Sequence, residues 1–525
     1  MDKIDIAIAK GWHKTEESHF KGQTWESFRK ETRGKKLYVF GIAEALDFIL
    51  NHTGLDIEAV IDSDERKQGL PLSDFADAAK PLSETKVLNP EILKEQREDL
   101  AVLISTSRYY EEVGRELEES GVTAYYSVLV MEAQKRGERK IDVNEAEREI
   151  TRGYVEESLK LPIEPKKIVF YTMGTYAGHG KYIIEQLLKK RSDLDVVWLV
   201  HDLKAEVPAG IRKVYANYAQ RYIRELETAA IWVYDRMIPT YIVKRPGQTY
   251  IQTKHWASVT LKTFGVDMKK FRGEQAGMDI VEYNGRMMDY LITGSDFDTR
   301  TCKQGYMFDG EVLEYGSPRS DALFRPEEYK EKVCARYGID PKKKLLLYAP
   351  TFRCRQDSYY VPESKVDLDF EMTKKALDER FGGDWQIILR LHPTVCVQSR
   401  DIVKPPFVTD ASFYPDSQEL VAACDITITD YSSLMFEPAF VRKPVFLFAT
   451  DKADYINVER ELLIDYETLP FPIAESNEEL AEVIRSFEYE PYKAGVDGFM
   501  ERYGVHEDGH AGERAAEFIN TLLGK

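Results

Sequence analysis

Short apolar runs of three to six residues recur along the whole chain, and most are followed by a segment with helical periodicity. In the first third they are Leu37–Phe40, Ala59–Ile61 and Ala101–Ile104. Lys167–Tyr171, Val196–Val200, Ile231–Tyr234, Thr249–Gln252, Leu291–Thr293 and Val312–Tyr315 follow. Leu345–Tyr348, Gln386–Leu391, Ile426–Thr429 and Val445–Phe448 complete the series. Helical patterns lie between them: Ala43, Leu46, Ile49 and Leu50, then Tyr182–Lys190, Phe370–Phe381, Asp416–Cys424 and Ser433–Phe440. A strand apolar on both faces needs cover on both faces. The alternation therefore predicts parallel sheets flanked by helices, an α/β architecture. At 525 residues the chain exceeds what one hydrophobic core supports, and two to four domains of about 100–200 residues each are expected.

Three α/β blocks are expected. The first, residues 1–131, reads as a small Rossmann-like domain. Asp62 lies about 20 residues past Gly41, where a dinucleotide fold keeps its ribose-binding acid. The residues after Gly41 are Ile42-Ala43-Glu44 and lack the GxGxxG glycines, so the backbone cannot approach a pyrophosphate. A binding or scaffolding module is expected there, not an NAD site. Residues 132–165 are densely charged with opposite charges at i,i+4, which reads as an exposed helical linker. Residues 166–318 and 319–525 read as two Rossmann-like lobes with a cleft between them. Ligands of such sheets lie beyond the carboxyl ends of the strands.

Composition narrows the function. The formal charge is −18, and a chain this acidic is no general nucleic-acid binder. Its densest basic spots are Lys342–Lys344 and the group Lys269, Lys270 and Arg272, both read as solvated surface. The five cysteines, Cys302, Cys334, Cys354, Cys396 and Cys424, contain no CxxC spacing, which argues against a disulfide framework or a structural zinc. MDKIDIAIAKGWHK lacks the apolar core of a signal peptide, and no run of about 18 apolar residues occurs. A cytoplasmic protein is expected, one that meets any lipid substrate from the membrane surface. No cluster has metal-ligand spacing, and Gly174-x-x-x-Gly178-x-Gly180-Lys181 misses the P-loop spacing.

Five motifs sit where strands end. In Thr429-Asp430-Tyr431-Ser432-Ser433, Ser432 or Ser433 is placed to cap the next helix and expose its N–H groups to an anion, with Glu437 one turn on for a ribose hydroxyl. Tyr348-Ala349-Pro350-Thr351-Phe352-Arg353 ends its strand in a hydroxyl and a guanidinium, groups suited to phosphate. Arg390-Leu391-His392-Pro393 delivers His392 to a strand end. Gln252-Thr253-Lys254-His255-Trp256-Ala257-Ser258 delivers His255, a candidate general base. Gly316-Ser317-Pro318-Arg319-Ser320-Asp321 reads as a turn that is either a hinge or a phosphate or ribose contact. Three strand ends of the last lobe each present polar groups, and this convergence marks a site with His255 and His392 facing each other across the cleft.

With Gly247–Thr253 and Asp289-Tyr290-Leu291-Ile292, these motifs resemble, in order and over about residues 165–450, the CDP-glycerol glycerophosphotransferase family of teichoic acid polymerases and primases. The resemblance implies a GT-B-like fold, no metal or other cofactor, and transfer of glycerol phosphate or ribitol phosphate from CDP-glycerol or CDP-ribitol. The acceptor it implies is a hydroxyl of an undecaprenyl-linked or glycan molecule at the inner membrane surface, in teichoic acid or capsule synthesis. On this reading His255 and His392 are catalytic, and Arg319, Asp321, Thr351, Arg353, Asp430, Ser432, Ser433 and Glu437 bind the donor. The family commonly reads His-Gly-Thr where this chain has His255-Trp256-Ala257. The residues alone leave three alternatives open: a UDP-sugar transferase, a nucleotide-sugar 2-epimerase of the same fold, and a binding homologue without turnover. A homo-oligomer is also open.

Overall fold

The computed structural model describes residues 23–95, 99–106, 109–135, 143–217, 219–267, 278–354, 362–456 and 461–524. The basic group at Lys269, Lys270 and Arg272, the amino-terminal MDKIDIAIAKGWHK and residues 136–142 of the charged stretch lie outside them. The chain divides into two compact units. The first takes the chain up to Tyr176 together with Asp193–Tyr250, and the second takes Ala177–Ser192 and everything from Ile251 on.

The first unit holds two parallel sheets. Strands β1 (Lys36–Phe40), β2 (Ala59–Ile61), β3 (Leu100–Ile104) and β4 (Tyr125–Ser127) run in the order β2-β1-β3-β4. Strands β5 (Glu164–Tyr171), β6 (Asp195–Val200), β7 (Ile211–Tyr215) and β8 (Ala229–Tyr234) run β8-β5-β6-β7. Asp62 is not poised for a ribose. Its carboxylate accepts the N–H of Ile42 at 2.8 Å and pairs with Lys67 at 2.7 Å, which ties the turn at Gly41 (φ +98°) to the next strand. The stretch expected as an exposed linker carries the helix Val143–Ser158, and this helix buries Ala146, Ile150, Tyr154 and Val155. Its apolar residues recur at helical spacing inside a charged sequence, and one stripe suffices to pack it.

The second unit opens with the end of β9 (Thr249–Gln252), which with β10 (Tyr290–Ile292) and β11 (Glu311–Leu313) forms a parallel set in the order β11-β10-β9. Its main sheet comprises β12 (Lys344–Ala349), β15 (Trp385–Leu389), β16 (Val408–Asp410), β17 (Ile426–Thr429), β18 (Val445–Phe448) and β19 (Ile473–Ala474). A small hairpin of β13 (Arg353–Cys354) and β14 (Pro362–Glu363) lies apart. The main sheet is parallel throughout, in the order β16-β15-β12-β17-β18-β19. β12, β15 and β17 are buried along nearly their whole length, as their mainly apolar sequences require, and they bury Gln386, Thr427 and Thr429 as well. Residues 251–318 share this unit with the carboxyl-terminal half, so the division does not fall at the expected 318/319 boundary. Isolated bridges Lys262–Leu462 and Ser295–Val505 tie them to distant segments of the same unit. The carboxyl-terminal helix Ala511–Leu523 packs on the helix Gly178–Leu188. A Cβ at Gly512 would lie 2.7 Å from the Tyr182 carbonyl oxygen, so only glycine allows that approach.

Candidate functional site

Adjacent strands β15, β12 and β17 end together and release three polar loops. The first carries His392, which is half-buried. Its Nδ1 accepts the N–H of Thr394 at 3.2 Å, so the neutral ring carries its proton on Nε2, and the ring packs on Phe352 at 4.6 Å between centroids. The second carries Thr351. Its backbone N–H donates to Asp430 at 2.8 Å, while its buried hydroxyl has no hydrogen-bond partner among the described residues. A buried donor in that state is costly until an acceptor reaches it. The third carries Asp430 and Ser432.

Arg353 differs from the expectation of a phosphate clamp. Its guanidinium pairs with Asp451 at 2.8 Å and Asp430 at 3.0 Å and lies over the rings of Tyr431 and Tyr455. Two carboxylates neutralise it, so it organises the loop. Ser432 caps as expected, with its hydroxyl accepting the Leu434 N–H at 3.3 Å. What it caps is one 3-10 turn, Ser433–Met435, followed by the five-residue helix Phe436–Phe440. A segment this short sums few peptide dipoles, so the hydroxyls and not a macrodipole are its polar asset. Ser433 faces the His255 segment: its Oγ accepts the Leu261 N–H at 3.0 Å and lies 3.2 Å from the Thr260 hydroxyl.

Two expected ribose or phosphate contacts are occupied internally. Glu437 is 1% exposed, pairs with Arg319 at 3.0 Å and accepts a hydrogen bond from Gln418. Its carboxylate is engaged by these two partners inside the unit. Asp321 is buried and accepts the N–H groups of Ala511 at 3.0 Å and Gly512 at 2.7 Å, capping the last helix of the chain. Burial pushes its carboxyl up to about 6, against the pull of those two N–H bonds. Arg319 spans to the other loop by donating to the carbonyl of His255.

His255 itself is exposed, on a loop that is otherwise buried from Ile251 to Leu261. Its ring meets Trp256 edge-on at 4.9 Å. Beneath the loop lie groups that the sequence reading missed. Lys254 holds a left-handed φ of +53°, is fully buried, and pairs with the equally buried Asp298 at 2.9 Å. Asp298 also accepts the Trp256 indole N–H at 3.1 Å. His179 lies with Nε2 2.8 Å from the Trp256 carbonyl and Nδ1 3.5 Å from the Arg319 N–H, an arrangement that a neutral ring protonated on Nε2 satisfies at both ends. Burial, with Lys254 and Arg319 nearby, holds its pKa well below the usual histidine value. Lys181, two residues further along the same helix, pairs with Asp416 at 2.7 Å and with Glu419, all three side chains buried. Among the described residues no three His, Cys, Asp or Glu side chains group as a metal site, and no helix is long and apolar enough to cross a membrane.

Glu507 closes the back of the loop. Its carboxyl group meets the Ser258 hydroxyl and the Ser317 N–H at 3.2 Å, and burial pushes its pKa up to about 8 from an ordinary 4.5. The unfolded chain ionises this group near 4.5 and the folded chain only near 8. The folded state is therefore progressively penalised as pH rises through that window. Glu507→Gln, which imitates the protonated acid, is expected to match the wild-type melting temperature at pH 5 and exceed it increasingly toward pH 9. A gap that stays constant with pH contradicts this.

The sequence profile of CDP-glycerol:poly(glycerophosphate) glycerophosphotransferases matches residues 154–521. The chain is 30% identical over 379 residues to the teichoic acid poly(glycerol phosphate) polymerase of Staphylococcus epidermidis, covering 69% of this chain and 51% of that one. It is 29% identical over 377 residues to the teichoic acid ribitol-phosphate primase of Bacillus spizizenii, covering 70% and 94%. It spans about half the length of the S. epidermidis polymerase and of its Bacillus subtilis counterpart. Among solved structures it is similar to the wall teichoic acid polymerase TagF at 28% identity and a TM-score of 0.63, covering 73% of this chain and 96% of that one. A variant of that polymerase has been solved after soaking with CDPG. The fold is accordingly a GT-B-like pair of Rossmann-like lobes preceded by a smaller α/β domain. With its profile matched over 154–521, the chain belongs to the CDP-glycerol:poly(glycerophosphate) glycerophosphotransferase family.

Proposed function

We propose that this protein transfers a polyol phosphate from CDP-glycerol or CDP-ribitol to an acceptor hydroxyl, releasing CMP. One observation carries the reading: three neighbouring parallel strands, β15, β12 and β17, release His392, Thr351 and Ser432 at one end of one sheet. Neighbouring strands in a sheet lie about 4.8 Å apart, so the loops that carry these groups leave the sheet side by side. The Thr351 hydroxyl gains an acceptor when a phosphate oxygen is present, and the Nε2–H of His392 donates beside it. Membership in the family and the names of its teichoic acid relatives support a CDP-polyol as the donor.

In the step itself the acceptor oxygen attacks the β-phosphorus, which carries the polyol. The bond from that phosphorus to the bridging oxygen breaks, CMP leaves with the bridging oxygen, and His255 takes the acceptor proton. His392 donates to the developing charge on the phosphates or on CMP. Phosphoryl transfer rests chiefly on positioning and on charge stabilisation, which these groups supply. Arg353, Asp430, Arg319 and Glu437 hold the loops; Asp321 anchors the last helix. The acceptor is an undecaprenyl-linked or glycan hydroxyl, met by a peripheral protein at the cytoplasmic face of the cell membrane.

The test is nucleotide release. With CDP-glycerol, CDP-ribitol and a set of UDP-sugars, each with and without a lipid-linked acceptor, CMP release is expected from one CDP-polyol and to rise with acceptor. UDP release alone assigns the chain to sugar chemistry. Binding of CDP-glycerol without CMP release under any acceptor assigns it a binding role.

A further inference from the structure

An exposed imidazole usually sits on a compliant surface loop. His255 does not: its ring is exposed while the residues on either side, from Ile251 to Leu261, are buried. On the upstream side Lys254 is locked three ways. Its N–H donates to the Gln252 side chain at 2.8 Å, its backbone takes the left-handed φ of +53°, and its ammonium lies 2.9 Å from Asp298 with neither side chain exposed. A lysine adopts that backbone only where its surroundings impose it. At His255 the carbonyl accepts from Arg319. On the downstream side the Trp256 indole donates to the same Asp298 at 3.1 Å, and the Trp256 carbonyl meets His179 at 2.8 Å. Trp256 supplies an indole N–H and a ring packed on Phe264 and Tyr306.

We propose that His179, Lys254 and Asp298 are positioning residues that fix the backbone on both sides of His255 and so aim its imidazole, with Trp256 as the piece they grip. This rests on the reading of His255 as the base toward the acceptor hydroxyl. His179 is the informative member, because it touches the loop through a single carbonyl and bears no charge whose removal strands a partner. Asp298 and Lys254 are poor first targets: removing either leaves a buried ion alone.

The experiment compares His179→Leu with His179→Gln in the full chain. Leucine fills the space without a donor, and glutamine keeps an amide N–H near the Nε2 position. His179→Leu is expected to lower kcat for CMP release by about 10–100-fold, the scale of a misplaced reacting group. The KM for CDP-glycerol should stay within about twofold, and His179→Gln should recover most of the loss. Trp256→Phe, which deletes the indole N–H and part of the ring packed on Phe264 and Tyr306, should fall between them. In a His255→Ala background His179→Leu should cause no further loss, because the two act as one unit. An unchanged kcat in His179→Leu overturns the proposal, as does an equal loss in both backgrounds. Should the wild type release no CMP from any donor, the functional reading fails and the positioning claim is judged without turnover. The 15N signals of the His255 ring should then be sharp in wild type, exchange-broadened in His179→Leu and restored in His179→Gln. Identical signals in all three overturn it.

Discussion

His255→Ala is expected to lower CMP release from the preferred CDP-polyol by about 10²–10⁴-fold, the usual contribution of a positioned general base. Binding of the CDP-polyol, read by calorimetry, should be unchanged, because the groups assigned to the diphosphate lie on the β12, β15 and β17 loops. The melting temperature should also hold. The ring is exposed and the anchors beneath it engage the His255 carbonyl and the residues on either side, all of which alanine preserves. The three readouts together separate chemistry from architecture. A rate equal to wild type removes His255 from the reaction, and a fall in donor affinity of the same size as the fall in rate would reassign it to binding.

How much of this was legible in the sequence depends on where each residue's partners lie. The strands of the main sheet were legible because they are short runs of mainly apolar and β-branched residues, as in β12, β15 and β17. His392, Thr351 and Asp430 followed from the strands, since a polar residue directly after such a strand must emerge at the sheet's carboxyl edge. The roles of Glu437, Asp321 and Arg353 did not follow. Their partners are Arg319, the amides of Ala511 and Gly512, and Asp451, each separated by about a hundred residues or more. A carboxylate near a phosphate motif reads as a ligand contact until its distant partner is known. The His255–Trp256 departure was visible, but its meaning was not, because Asp298 and His179 reach the loop from separate helices. The one available signal for His179 is its place in the glycine-rich stretch Gly174–Gly180, which in sequence reads as a strand-to-helix loop and as a P-loop that fails. The amphipathic helices Asn477–Arg485 and Ala511–Leu523 also went unread, although the second of them supplies the N–H groups that bind Asp321.

Lys181 shows the same limit with the largest consequence for stability. Read as a sequence, it is the lysine of a motif that fails. In the fold it joins the helix Gly178–Leu188 to the helix Ser417–Ala423, pairing with Asp416 and Glu419, both 2% exposed. Burial raises the pKa of Asp416, and Lys181 with the Tyr182 hydroxyl more than reverses that, so the carboxylate is held below its usual range. Lys181→Met keeps the stem and removes the charge, leaving two carboxylates in a place that was dry and paired. A loss of about 3–5 kcal/mol is expected, the range for breaking a buried pair by removing one partner. Lys332 approaches Glu419 at 2.6 Å, but its side chain is 56% exposed, so it offsets little of this. The sign with pH follows. In the wild type the depressed Asp416 contributes stability above its unfolded pKa and loses it as pH falls through the folded one. In the variant Asp416 keeps its burial but loses the ammonium that held its carboxyl down, and acid relieves it by protonation. The deficit in denaturant unfolding should therefore be larger at pH 7.5 than at pH 5. Lys181→Met/Asp416→Asn/Glu419→Gln, which removes all three charges, should recover much of the stability at pH 7.5. A single-variant deficit under about 1 kcal/mol, or one that acid does not shrink, would mean that water already reaches the pair. The same variant releases the first turn of the helix that carries His179, so turnover should fall further than unfolding alone predicts.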